Sequence, residues 1–261
     1  MNNINKIVNF KKHPINSSKK YMSFCRAKLK KDLILKLDDF LTTEALLNLR
    51  KEAKMLHKKA FYCSQKHTIL LDKKNNMMSR NDPCNLEIIS DKGCVPHDLI
   101  PNSSHLNSLY KSKIFINFLI NVLKIEKIFS YKDKLSSINY NYYEKNQQLG
   151  WHYDNASFAI TLLIENSNKG GIFEYVNKGR NYEKKYLNKK YISSIISEKK
   201  PAKKLVVKPG SLILFYGRNY LHRVTPVLSN KGRVLVTLNY NTEKGIELSI
   251  NARKTFFGRI N

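Results

Sequence analysis

The run Gly150-Trp151-His152-Tyr153-Asp154 sets a histidine and a carboxylate two residues apart in an aromatic-rich segment. On a strand, side chains i and i+2 point to the same face about 7 Å apart along the chain, close enough to share one metal ion. A second apolar run, Ser211-Leu212-Ile213-Leu214-Phe215-Tyr216, leads to Leu221-His222-Arg223-Val224, as it would if an adjacent strand of a small barrel delivered a third ligand to the same mouth. Two imidazoles and one carboxylate take one face of a metal and leave three positions open, the donor set of mononuclear non-haem iron chemistry. Arg233 follows a turn at Ser229-Asn230-Lys231-Gly232 and heads the run Val234-Leu235-Val236-Thr237-Leu238. On that returning strand its guanidinium could reach into the same barrel and hold a carboxylate bidentately.

His-x-Asp alone is a weak signal in a chain with 7 His. The ordered combination of ligand, ligand, ligand, turn and arginine is far more specific. A bland alternative makes His152 a strand histidine bonded to an ordinary Asp154 and His222 a half-exposed loop residue, but it leaves that order without a cause.

The elements that must position these groups are mostly short strands. Leu33 to Leu37 reads as a strand, and Thr42 or Thr43 caps a helix whose buried stripe is Leu46, Leu49, Ala53 and Leu56. Residues 69–89 read as loop until Leu86-Glu87-Ile88-Ile89. From Ser103 to about Lys124, apolar residues at mixed three and four spacing predict one helix along the outside of the barrel. Ser136 to Tyr143 alternates as the strand before the metal strand, followed by Glu144, which could meet a substrate ammonium or sit in a solvated turn. Ile172 to Val176 and Leu205 to Phe215 supply further strands, and lysine-rich 182–204 is expected to be an insertion or lid beside the pocket. The fold class is mainly β with flanking helices (α+β).

Taken together, the quoted residues resemble the iron- and 2-oxoglutarate-dependent oxygenases, within them the free-amino-acid hydroxylases and carrier-independent lysine halogenases. Further phrases carry the likeness: Gly170-Gly171-Ile172-Phe173-Glu174-Tyr175-Val176, Pro209-Gly210-Ser211, Phe215-Tyr216-Gly217-Arg218, His222-Arg223-Val224-Thr225-Pro226-Val227 and Phe257-Gly258-Arg259. The resemblance spans most of the chain from about Met77. It implies a double-stranded β-helix, a distorted jelly roll of the cupin-like kind, with Fe(2+), 2-oxoglutarate and O2 as cofactors. It makes Arg233 the anchor of the 2-oxoglutarate distal carboxylate, with Thr161 or Thr225 assisting. It places a substrate contact at Arg80 and implies hydroxylation of a small free amino acid or derivative; Trp151, Asn239 and Asn241, the last two on one face of the Arg233 strand, are further substrate candidates, as is Glu144. In the halogenases of that group a small residue replaces the carboxylate ligand and chloride takes its place; this chain keeps Asp154. An oxygenase acting on a nucleic acid or a protein side chain is the alternative within the same chemistry. Nucleic-acid demethylases of the superfamily usually carry an arginine at the place held here by Asn239. A non-catalytic binding module on the same barrel is the alternative from another class.

A chain of 261 residues and 30.4 kDa suits one domain, expected over 31–261, after a basic, poorly ordered leader over 1–30. Its four cysteines, Cys25, Cys63, Cys84 and Cys94, form no Cys-x-x-Cys pair, and no apolar signal segment opens the chain, so the expectation is a cytoplasmic protein with reduced thiols and no membrane span. Of 47 basic residues in a net charge of +27, Lys far outnumbers Arg and no arginine-rich block occurs. Specific nucleic-acid binding is therefore not expected, and weak salt-sensitive adsorption to polyanions is. The partner expected is a small molecule.

Overall fold

Alternation along a few strands divides the interior into an apolar layer and a polar cavity. The computed structural model describes residues 4–261. In order the chain forms α1 (Lys19–Asp32), β1 (Ile34–Leu37), α2 (Thr43–Leu56), β2 (Phe61–His67), β3 (Ile88–Val95), α3 (His105–Tyr110), α4 (Lys113–Leu123), β4 (Phe129–Ser130), β5 (Ile138–Tyr143) and β6 (Leu149–His152). There follow β7 (Ala159–Glu165), β8 (Phe173–Tyr175), β9 (Arg180–Asn181), β10 (Tyr186–Leu187), α5 (Lys189–Ile196), β11 (Lys203–Leu205), β12 (Leu212–Phe215), β13 (His222–Val224), β14 (Arg233–Leu238), β15 (Tyr240–Asn241) and α6 (Ile250–Phe257).

Seven strands make the major sheet in the order β1-β12-β7-β14-β5-β3-β2, and four make the minor sheet, β11-β8-β13-β6. All the pairings are antiparallel, as expected of a jelly roll closing on itself. On β5 and β14, Ile138, Tyr140, Tyr142, Val236 and Leu238 join the core that the helices cover. Their alternate neighbours Asn139, Asn141, Tyr143, Arg233, Leu235 and Thr237 line a cavity on the other face. A period of two thus buries a hydrocarbon layer on one side of the sheet and keeps polar groups for the other.

Several expectations meet a different arrangement. Of the leader expected over 1–30, residues 1–3 lie outside the described residues, and the rest is built into the fold. Ser18 caps α1 by accepting from the Tyr21 N–H, and Cys25 and Leu29, one turn apart, are buried with Ile7, Val8 and Ile15 in the main core. Its lysines face solvent and hide that stripe in the composition. The helix expected over 103–124 is two, because the Ser112 hydroxyl accepts from the Phe115 N–H and starts α4 afresh. The loop expected over 69–89 is preceded by β2 and runs into β3, which continues to Val95. Thr42 caps α2. Residues 182–204 carry β10, α5 and β11, and α5 packs Ile192 and Ile195 against Trp151, Tyr153 and Leu221.

Candidate metal and cosubstrate site

The metal candidates meet through the register of the minor sheet. His152 and His222 are direct antiparallel partners of β6 and β13, which brings their ring centroids to 4.1 Å. β6 ends at His152, yet the chain stays held beyond it: the Tyr153 N–H donates to Ile69 O at 2.8 Å and the Asp154 N–H to Gly217 O at 3.0 Å. Asp154 Oδ1 then lies 3.4 Å from His152 Nε2 and 3.5 Å from His222 Nε2. One ligand atom from each residue falls within 4.8 Å of the others, the sole such group of His, Cys, Asp or Glu among the described residues.

Each imidazole is oriented by its other nitrogen. His152 Nδ1 donates to Gly150 O at 2.7 Å and His222 Nδ1 to Tyr220 O at 2.9 Å, leaving both Nε2 lone pairs for a cation. Burial lowers the His152 pKa, and His222 beside it adds to the effect, so the ring is held in the neutral form a metal ligand needs. Burial alone would raise Asp154, but the two histidines outweigh it and hold its carboxyl far below the usual carboxylate range. Phe215 stands edge-on to His222 at 4.8 Å. The backbone leaves room for the carboxylate at Gly217, where any Cβ would overlap the Asp154 side chain.

Arg233 lines the same cavity, of about 340 Å³. It is buried, its Nε has no partner, and its Nη1 reaches only Asn166 Oδ1 at 3.5 Å. Burial lowers its pKa to about 10, so it remains a cation at neutral pH, and among the described residues no carboxylate forms an ion pair with it. A buried, underused guanidinium fits a dicarboxylate cosubstrate. Two further arginines are engaged elsewhere: Arg223 donates to Glu174 at 2.7 Å and Arg218 to Asn155 O at 3.0 Å.

The remaining expected site residues divide. Thr161 lines the cavity, whereas the Thr225 hydroxyl accepts from the Ile172 N–H at 3.0 Å outside it. Asn239 lines it too, with its amide bound to Ser136 O and Asn139 Oδ1. Asn241 does not, because β14 ends at Leu238 and Asn241 pairs with Phe129 on β4. Trp151 points away from His152, since neighbours on a strand face opposite sides; it is buried with Ile192 and Leu221, and the Arg223 guanidinium stacks on it at 4.7 Å. Arg80 is exposed and lies outside the cavity lining. Glu144 accepts from the Tyr62 hydroxyl at 2.7 Å and pairs with His57 at 3.0 Å in a second cleft, which shares Tyr143 and Arg233 with the cavity. Gly217 and Lys92, which the sequence reading left without a role, both stand at the site: the first against Asp154, the second on the cavity wall.

The closed antiparallel fold and the His-Asp-His group define a 2-oxoglutarate-Fe(II) oxygenase architecture. Solved structures agree at the level of fold. An oxidoreductase of the 2OG-Fe(II) oxygenase family from Burkholderia pseudomallei is 14% identical with a TM-score of 0.54, covering 88% of this chain and 95% of its own. A Pseudomonas putida prolyl-4-hydroxylase is 10% identical with a TM-score of 0.51, covering 83% and 96%. The non-haem α-ketoglutarate-dependent carbocyclase SnoK from nogalamycin biosynthesis is 10% identical with a TM-score of 0.55, covering 86% and 84%. The search of curated proteins finds no match. The model of the Halogenase D family matches residues 17–256, and the chain belongs to that family, a 2OG-Fe(II) oxygenase-type family. Fe(2+), 2-oxoglutarate and O2 are the cofactors this membership implies. Among the described residues no helix is long and apolar enough to cross a membrane.

Proposed function

We propose that the protein is an Fe(II)/2-oxoglutarate-dependent hydroxylase acting on an unactivated C–H bond of a small free amino acid or close derivative, releasing succinate and CO2. The observation that carries this reading is Asp154, a carboxylate set within hydrogen-bond range of two inward Nε2 atoms in a family whose model is named for halogenation. A carboxylate in that place fills the metal position a halide would need, and its charge opposes a second anion there.

His152, Asp154 and His222 would hold iron, and Arg233, with Thr161 nearby, would hold the far carboxylate of 2-oxoglutarate. Bound iron and 2-oxoglutarate supply the oxidative chemistry, which couples decarboxylation of the cosubstrate to oxidation of a substrate C–H bond. The protein's part is positional. Backbone carbonyls of Gly150 and Tyr220 fix the imidazoles; Phe215 and Phe173 keep the His222 side of the site apolar.

His152→Ala and His222→Ala should each abolish Fe(II)-dependent succinate formation while leaving a cooperative thermal unfolding transition, because two ligands seldom hold iron well. Full succinate formation in either variant would remove the triad.

A further inference from the structure

The cavity holds a second cation. Lys92 on β3 lines it together with His152, Asp154 and Arg233, and its ammonium donates to Asn141 Oδ1 at 2.6 Å. Phe256 covers it, with the ammonium 5.2 Å from the ring centroid. Among the described residues no carboxylate forms an ion pair with it, although an ammonium has three protons to donate. Burial works to lower its pKa, and the negative charge of Asp154 is among the influences that offset it.

The rest of the cavity offers little to a cation. Among its described lining residues the sole carboxylate is Asp154. Two of the amide oxygens on its wall are in use, Asn141 Oδ1 accepting from Lys92 itself and Asn139 Oδ1 from Asn239, which leaves those of Gln65 and Asn155 as neutral acceptors. A cationic side chain entering here would lose its water with no acidic partner to replace it, whereas a carboxylate would find a half-used ammonium.

We propose that Lys92 anchors the carboxylate of the substrate, and that the cavity therefore takes neutral or acidic amino acids in preference to diamino acids such as lysine and ornithine. This rests on the reading of Arg233 as the cosubstrate anchor, which leaves Lys92 as the free cation of the site. It also moves the basic substrate contact from Arg80, which lies outside the cavity, to Lys92 in the middle of β3.

The test is calorimetric titration of the twenty protein amino acids and ornithine into the full-length protein, loaded with Fe(II) and 2-oxoglutarate without oxygen. The wild type should bind a neutral or acidic amino acid at least about tenfold more tightly than lysine or ornithine. Lys92→Met should weaken that binding about tenfold or more, and Lys92→Arg, which keeps the charge, should restore most of it. Affinity for 2-oxoglutarate, measured on the same samples, should be alike in all three. Tightest binding of lysine or ornithine by the wild type overturns the proposal, and this ranking stands even if a variant fails to fold. Unchanged amino-acid binding in Lys92→Met, a loss there of 2-oxoglutarate affinity instead, or no binding of any amino acid would also overturn it. Failure of the wild type to bind 2-oxoglutarate would mark a different fault, in the cosubstrate reading, and the proposal would fall with it.

Discussion

Arg233 carries a buried charge whose one side-chain hydrogen bond among the described residues is the long contact to Asn166. Its pKa, lowered to about 10 by burial, lies below the ordinary value, so the unfolded chain holds that proton more tightly and stability rises as pH climbs from about 10 towards the ordinary arginine range. At neutral pH the charge is carried at a penalty that a bound carboxylate would relieve. Arg233→Met should therefore leave the ligand-free melting temperature at pH 7.5 equal to or above that of the wild type, while removing the upward shift that 2-oxoglutarate gives. Losing a bidentate charge partner costs about 2–5 kcal/mol, so 2-oxoglutarate affinity should fall roughly 30-fold or more by calorimetry. A less stable variant with unchanged affinity would make Arg233 structural. Gly217→Ala should behave oppositely: a Cβ there displaces the Asp154 carboxylate, and equilibrium dialysis should show weakened iron binding with 2-oxoglutarate contacts at Arg233 untouched. His152 and Asp154 were legible because residues two apart in extended chain share a face, although β6 itself ends at His152. The same rule, applied to the neighbour, turns Trp151 away from the site. Lys92 was not legible, since one lysine among so many carries no signal until the register of β3 against β5 aims it inward.

At the scale of elements, the minor sheet positions the metal group and α5 supports it from behind. β6 is four residues long, too short to hold its conformation alone, and Trp151 and Tyr153 on either side of His152 pack against Ile192 of α5. Ile192→Ala should cost about 2–5 kcal/mol in a denaturant melt and loosen iron binding, although residue 192 lies in the stretch read from sequence as an insertion or lid. Stability lost with iron affinity intact would separate α5 from the site. The strands bearing Arg233 and Asn139 were readable from their alternation. β2 and the far half of β3 were not: Cys63, Gln65, His67, Ser90 and Lys92 place polar side chains towards the cavity, which in sequence looks like a loop.

For the whole molecule, the N-terminal segment and the surface charge make separate predictions. Removing residues 1–32 strips Ile7, Val8, Cys25 and Leu29 from the main core, so the truncated chain should lose its cooperative melt, whereas a dispensable leader would leave it intact. The net charge of +27 should give binding to duplex DNA that weakens steeply with added salt and shows no sequence preference; salt-resistant, sequence-selective binding by electrophoretic shift would point to a nucleic-acid substrate. The central claim is that Asp154 makes this member of the Halogenase D family a hydroxylase, and its most direct test is mass spectrometry of the amino-acid product formed by the wild-type protein with Fe(II), 2-oxoglutarate and oxygen in chloride buffer. The product should carry one added oxygen atom and appear with succinate, and Asp154→Gly should lose most of it; a chlorinated product from the unmodified protein would contradict the assignment of Asp154 to the metal.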